Sequence, residues 1–271
     1  MNWIYPITIV LYSFSVFGYF IDFLQNNRKV NRMAFWLLSI VWVLQTTFFI
    51  VRLFELGRVP LLTPFEGLFF YAWLIVTLSL VINWYFRVDF LVFFTNVIGF
   101  SMMTFSLFTP DQDVPPALSE LLASELLIIH ISIIMLSYAG FTVAFACQLL
   151  YVIQHHMLKK KKWGKQLGRF GALSKLDSIS FFSILGAWPL LLIGLILGFV
   201  WGYSQLGQIP LLDAKVISSL FVLFIYGVYL YLRVVRLIRG YNMALLAIAS
   251  FLILLINYFL SGQYSNFHIW Y

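Results

Sequence analysis

Residues 121–162 read LLASELLIIHISIIMLSYAGFTVAFACQLLYVIQHHMLKKKK. As a helix, the apolar part (121–153) is about 50 Å long at about 1.5 Å per residue. That exceeds the roughly 30 Å hydrocarbon core of a bilayer, so part of it projects. Pro115 and Pro116 precede the run and suit a helix start. The lysines from Lys159 onward pin one end at a membrane surface. Counting back about 20 residues from His155 places Met135 at the far edge of the core, so His130 falls just beyond it.

Seven other runs reach spanning length: 3–24, 33–51, 64–86, 90–108, 179–203, 214–237 and 241–260. Arg87–Val88–Asp89 is the shortest break between them. Of 271 residues, 62% are hydrophobic and 10% charged, with a mean hydropathy of +0.95. A soluble domain carries roughly 25% charged residues. The expected fold is all-α: a polytopic integral membrane protein with eight transmembrane helices forming one domain over residues 1–271. The start, MNWIYPITIV, has neither a basic leader nor a small-residue cleavage pattern, and reads as a retained first span.

A net charge of +7 and a pI of about 9.5 would suggest nucleic acid in a soluble protein. Here the basic residues lie between spans: Arg28, Lys29 and Arg32; Lys159, Lys160, Lys161, Lys162, Lys165, Arg169 and Lys175; Arg233, Arg236 and Arg239. Loops of the other parity are balanced or acidic, with Asp111, Asp113 and Glu120 before the fifth span. The positive-inside rule makes the basic loops cytoplasmic and both termini extracytoplasmic; the expected location is the plasma membrane of a bacterial cell. The loop at about 154–178 is a topology signal with affinity for anionic lipid, or a docking site for a cytoplasmic partner. It has no aromatic interleaving that would favour nucleic acid.

Four histidines are present. The same topology puts His130 and His268, in the tail SGQYSNFHIWY, at a similar depth on the outer side. A neutral imidazole is a common ligand for iron, copper or zinc. No cysteine, methionine or carboxylate cluster accompanies the pair, which argues against a closed zinc site. Two readings stay open: axial ligands on either side of a haem, or two unrelated interfacial histidines. His155 and His156 are adjacent, point about 100° apart on a helix, and read as solvated residues beside lysines. Arg52 and Arg58 either pair with Glu55 and Glu66 or hold haem propionates. Lys215, beside Asp213, is a third propionate candidate. Asp22 is placed to pair with Arg28 or another cation at the inner surface. Cys147, the single cysteine, reads as a packing residue.

Three stretches then carry a resemblance. LLASELLIIHISIIMLSYAGFTVAF resembles the histidine-bearing helix of the cytochrome c assembly (CcsA/CcmC/ResC-like) membrane protein family. RVPLLTPFEGLFFYAW is similar to that family's outer loop and following helix. YLYLRVVRLIRGYNMALLAIASFLILLINYF with HIWY resembles its last two helices and terminal histidine. The resemblance implies haem handling at the outer face, with a non-covalent, b-type haem held axially by His130 and His268. It departs at WGYSQLGQIPLLDAKV, where Trp201–Gly202 and Asp213–Ala214–Lys215 remain of a Trp-rich segment; Trp201 is the remnant placed at the cofactor. The two further histidines of full members align with Arg58 and Tyr231. The short branch lacking those features is the HemX type. It implies a non-enzymatic role in haem biosynthesis as a negative effector of glutamyl-tRNA reductase. That enzyme, or its proteolysis machinery, would be the partner at the 154–178 loop. The alternatives are a haem delivery component of cytochrome c assembly, and a secondary transporter without haem. For the transporter, Gly186, Pro189, Gly194 and Gly198 loosen the sixth span, but mid-span charges are almost absent.

Overall fold

The computed structural model describes residues 3–86, 89–109, 124–161, 172–207, 211–238 and 240–265. Eight helices long and apolar enough to cross a membrane are present among them. They are α1 (Ile4–Gln25), α2 (Arg28–Leu56), α3 (Pro64–Phe86), α4 (Asp89–Phe105), α5 (Glu125–Lys159), α6 (Leu173–Leu206), α7 (Ala214–Val234) and α8 (Tyr241–Leu260). Short 3-10 turns follow α4 at Ser106–Phe108 and α8 at Ser261–Tyr264. The chain is an all-α, multi-pass membrane protein.

Three helices outrun the expected spans. α2 begins at Arg28 and not at residue 33; α5 runs to Lys159 and α6 starts at Leu173. Apolar length marks the hydrocarbon crossing, whereas the helix stops where its end groups are capped. Between α1 and α2 the caps are consecutive. Asn26 closes α1 in the left-handed region (φ 57°), and Asn27 Oδ1 accepts from the backbone N–H groups of Lys29 and Val30 to open α2. The basic residues of that turn therefore ride on helix.

Large apolar side chains cover the outside, unlike in a soluble protein. Phe14, Phe17, Trp36, Phe182 and Phe224 face outward, while Thr8, Ser15, Asp22, Asn96, Ser137, Gln148 and Asn257 are buried. Lipid solvates the former, and helix partners must satisfy the latter.

The helices group into two compact units, Met1–Asp111 with Ile153–Leu173, and Gln112–Val152 with Ser174–Tyr271. In the first, α1 lies antiparallel to α2, with Ser15 donating to the Ala34 carbonyl (2.8 Å) and Gly18 against Ala34. Tyr12 donates to Asn96 Oδ1 (2.8 Å), and Tyr5 to the Met103 carbonyl (2.9 Å), which fixes α1 on α4. Two indoles join α2 to α3, Trp42 to Thr77 and Trp73 to Thr46. At the other end of α1, Asp22 accepts from Asn31 Nδ2 (2.8 Å).

In the second unit α5 to α8 alternate in direction. Ser137 donates to the Ala187 carbonyl (2.8 Å), Trp188 Nε1 to the Leu223 carbonyl (2.9 Å) and Asn257 Nδ2 to Tyr138 Oη (2.9 Å). Pro189 sits inside α6, which continues through it. At one end Arg233 pairs with Asp177 and lies over the Phe181 ring. The other end holds His130.

Candidate functional site

The contact of α5 with α6 is a seam of small residues. A Cβ at Gly140 would meet that of Ala187 at 3.0 Å, and one at Gly194 would meet Ile134 Cδ1 at 2.5 Å. A Cβ at Gly198 would stand 2.7 Å from His130 Cε1 and 3.0 Å from Nδ1. Gly194 and Gly198 are four apart and share a helix face. Together they form a seat in which only glycine admits the neighbouring side chains undisturbed.

Within that seat His130 Nδ1 lies 2.6 Å from the Gly194 carbonyl oxygen. A carbonyl only accepts, so Nδ1 carries the proton. In the neutral ring the lone pair is then on Nε2. This is the usual arrangement of a metal-binding histidine, whose second nitrogen donates to a carbonyl that fixes tautomer and orientation. Nearer the end of the seam, Trp201 Nε1 donates to Ser124 Oγ (2.7 Å). Trp201 is buried there and braces the opening of α5.

The same end of this unit carries a second polar group around Asn257. Ser218 donates to its Oδ1 (2.7 Å), and Lys215 Nζ donates to its backbone carbonyl (2.9 Å) while lying 5.8 Å from the Tyr258 ring centroid. That carbonyl is in the last turn of α8, where the Ser261 hydroxyl also donates to it and a cation is favoured. Asp213 caps α7 by accepting from the Lys215 N–H (2.9 Å), and its two oxygens accept from Ser265 Oγ at 2.9 and 2.8 Å. Lys215 is thus a structural clamp whose ammonium has three donors, one of them placed on Asn257. His268 lies outside the described residues, as do Lys162, Lys165, Arg169, Arg239, Asp111, Asp113, Glu120, Pro115 and Pro116.

The arginine candidates belong to the first unit. Arg58 grips Glu66 with both nitrogens, Nη1 to Oε2 at 3.0 Å and Nη2 to Oε1 at 3.1 Å. Glu66 Oε2 also accepts from the backbone N–H groups of Leu62 (2.7 Å) and Thr63 (3.1 Å), and Thr63 Oγ1 accepts from the Glu66 N–H (3.2 Å). This is a capping box closed by a guanidinium, the ion-pair alternative for Arg58. Arg52 is half-buried on α2. His155 and His156 occupy the last turns of α5, half-buried and exposed respectively, and the Cys147 thiol is buried.

Sequence reading took Gly194 and Gly198 as features loosening a span; their small-xxx-small spacing was the signal for a close contact. Thr63-x-x-Glu66 was likewise a visible capping box. The Asn257 and Ser265 contacts join residues far apart in the chain, and no local pattern announces them. Among the described residues no three His, Cys, Asp or Glu side chains gather as a metal-binding group. A single oriented imidazole suits a metal whose other ligands are mostly its own, as in a porphyrin.

A sequence model of the family described as Cytochrome C assembly protein matches residues 61–268. The chain is 52% identical to Protein HemX of Bacillus subtilis (strain 168) over 262 residues, covering 96% of this chain and 95% of that one. It is 44% identical to Protein HemX of Brevibacillus brevis over 271 residues, 100% and 98% of the two chains. More distantly, it is 26% identical to the Cytochrome c biogenesis protein CcsA of Mesostigma viride over 246 residues, 82% and 81%.

Proposed function

The chain belongs to the cytochrome c assembly protein family, and from that membership we propose that it is a haem-binding membrane protein of HemX type that restrains haem biosynthesis as a negative effector of glutamyl-tRNA reductase. The observation that carries haem binding is the 2.6 Å contact of His130 Nδ1 with the Gly194 carbonyl, which turns Nε2 into an oriented ligand. The fit is chemical as well: an imidazole in an apolar, aromatic-rich bundle is what haem iron and its ring require.

His130 and His268 are the proposed axial pair. Ser265, tied to Asp213, stands three residues before His268. Three residues of chain span at most about 11 Å, so the anchor limits the reach of the second imidazole. Lys215 belongs to the same unit and is the proposed counter-charge for a propionate. With both axial positions filled by imidazole, bound haem would supply a redox or sensing centre without an open position for oxygen. The protein itself is then non-enzymatic. Both termini are proposed to be extracytoplasmic, so the 154–178 loop meets the reductase, or the machinery that degrades it, on the cytoplasmic side.

The test is a visible spectrum of the purified protein supplied with haem. The expected result is a Soret band with bis-imidazole character that His130→Ala and His268→Ala each abolish or shift. A band untouched by either change refutes the site. A second reading, haem delivery, is favoured by the likeness to proteins named for cytochrome c biogenesis. Gene deletion separates the two: raised reductase with intact c-type cytochromes supports regulation, and loss of c-type cytochromes supports delivery.

A further inference from the structure

Each unit buries an asparagine and joins it to a tyrosine and a serine from two other helices. In the first, Asn96 of α4 accepts from Tyr12 of α1 (2.8 Å) and donates to Ser79 Oγ of α3 (2.8 Å) and to the Val92 carbonyl (2.8 Å). In the second, Asn257 of α8 donates through Nδ2 to Tyr138 Oη of α5 (2.9 Å) and Ser219 Oγ of α7 (3.4 Å). Its Oδ1 accepts from Ser218 (2.7 Å) and Ser261 (2.9 Å). All four side-chain partners are hydroxyls, which give or take a proton, so the amide makes four bonds whichever way round it stands. Asn257 then does more than Asn96. Its backbone carbonyl accepts from Lys215 Nζ (2.9 Å) and from the Ser261 hydroxyl. The next residue, Tyr258, packs edge-on against Tyr138 at 6.2 Å and lies under the Lys215 ammonium at 5.8 Å. A lysine near a helix end in a bilayer ordinarily extends its head to the interface. Here the head turns across to α8.

We propose that Asn257 is a positioning residue of the haem site, setting Lys215 against the helix that bears His130. It rests on the reading of His130 and Lys215 as haem contacts. Three parts of that site meet at Asn257: α5 through Tyr138, α7 through Lys215, Ser218 and Ser219, and the start of the C-terminal segment through Ser261. Tyr138 is eight residues from His130 on one continuous helix, about 12 Å along its axis. A shift of Asn257 against Tyr138 therefore moves the ammonium relative to the imidazole. Asn96 shows what the same set of residues does when it serves the fold alone. It joins α1, α3 and α4, which carry neither His130 nor Lys215.

The test is a haem titration of the full chain in lipid nanodiscs, followed by its visible spectrum and set beside Tm. Asn257→Leu and Asn96→Leu each keep the shape of the side chain and remove its hydrogen bonds, so both should lower Tm. Asn257→Leu should also weaken haem binding about 10-fold and shift the Soret band. Asn96→Leu should keep the affinity and the band of the wild type. Where Asn257→Leu does not fold, Ser218→Ala and Ser261→Ala decide, since each removes a single hydroxyl; at least one should weaken haem binding with Tm close to wild type. Lowered Tm with wild-type haem binding in Asn257→Leu overturns the proposal, as does wild-type binding in both serine variants. Equal weakening in the two asparagine variants overturns it too, because the cause is then a loosened bundle. His130→Ala and His268→Ala are measured alongside. If neither alters the band, the haem site itself is refuted and the role of Asn257 with it; if they do and Asn257→Leu does not, only the role of Asn257 falls.

Discussion

The Arg58–Glu66 corner of the first unit and the His130 seat of the second pose the same problem: an ionisable group is placed in an apolar bundle. They solve it differently. Glu66 accepts from Arg58 and two backbone N–H groups, and Thr63 closes the box from the other side. His130 spends one nitrogen on Gly194, and no described residue bonds the other. A network whose bonds are all internal serves the fold. For His130 the proposal is that its second nitrogen serves a haem.

The most severe way to break this contrast is Glu66→Ala. It strands the Arg58 guanidinium, 17% exposed, together with the N–H groups of Leu62 and Thr63. The expected cost is about 3–5 kcal/mol of unfolding free energy, read from denaturant or thermal unfolding in detergent. The haem spectrum of whatever fraction folds should be unchanged. A shifted Soret band in that fraction would mean that the corner is part of the haem site after all.

Gly198→Ala tests the other side. The new Cβ would sit 2.7 Å from His130 Cε1, and the yielding atom is the end of a rotatable side chain. Alanine also favours helix by about 1 kcal/mol over glycine. Stability should therefore hold or rise slightly, while haem affinity falls about 10–100-fold as the imidazole leaves its orientation. Gly186→Ala is the control, since nothing lies within 4 Å of a Cβ there. Equal haem titrations of the two variants would remove the seat from the haem site.

The spans were legible because a bilayer demands long apolar helices, and α1, α3, α4, α7 and α8 lie close to the apolar runs. The ends of α2, α5 and α6 were not, because hydropathy reports the crossing and caps decide the helix. His130 stood out as a rare residue in an apolar stretch. Its seat did not, because Gly194 and Gly198 lie 64 and 68 positions away and the same glycines also suit a broken helix. Glu66 was visible as a charge near a span. Whether it met Arg58 or the backbone depended on a turn whose capping signature carries no charge information.

The smallest effect belongs to Asp213 in the second unit. It is a closed cap for α7 and at the same time the anchor of the segment that leads to His268. Asp213→Asn keeps an N-cap acceptor of equal quality and one oxygen for Ser265, so stability and the haem spectrum should both stay near wild type. Asp213→Ala removes the cap and both Ser265 bonds, at about 1 kcal/mol. If the anchor positions the second imidazole, the alanine variant should also lose bis-imidazole character in its spectrum, and the asparagine variant should keep it. If the two variants differ in stability alone, Asp213 is a helix cap and no more.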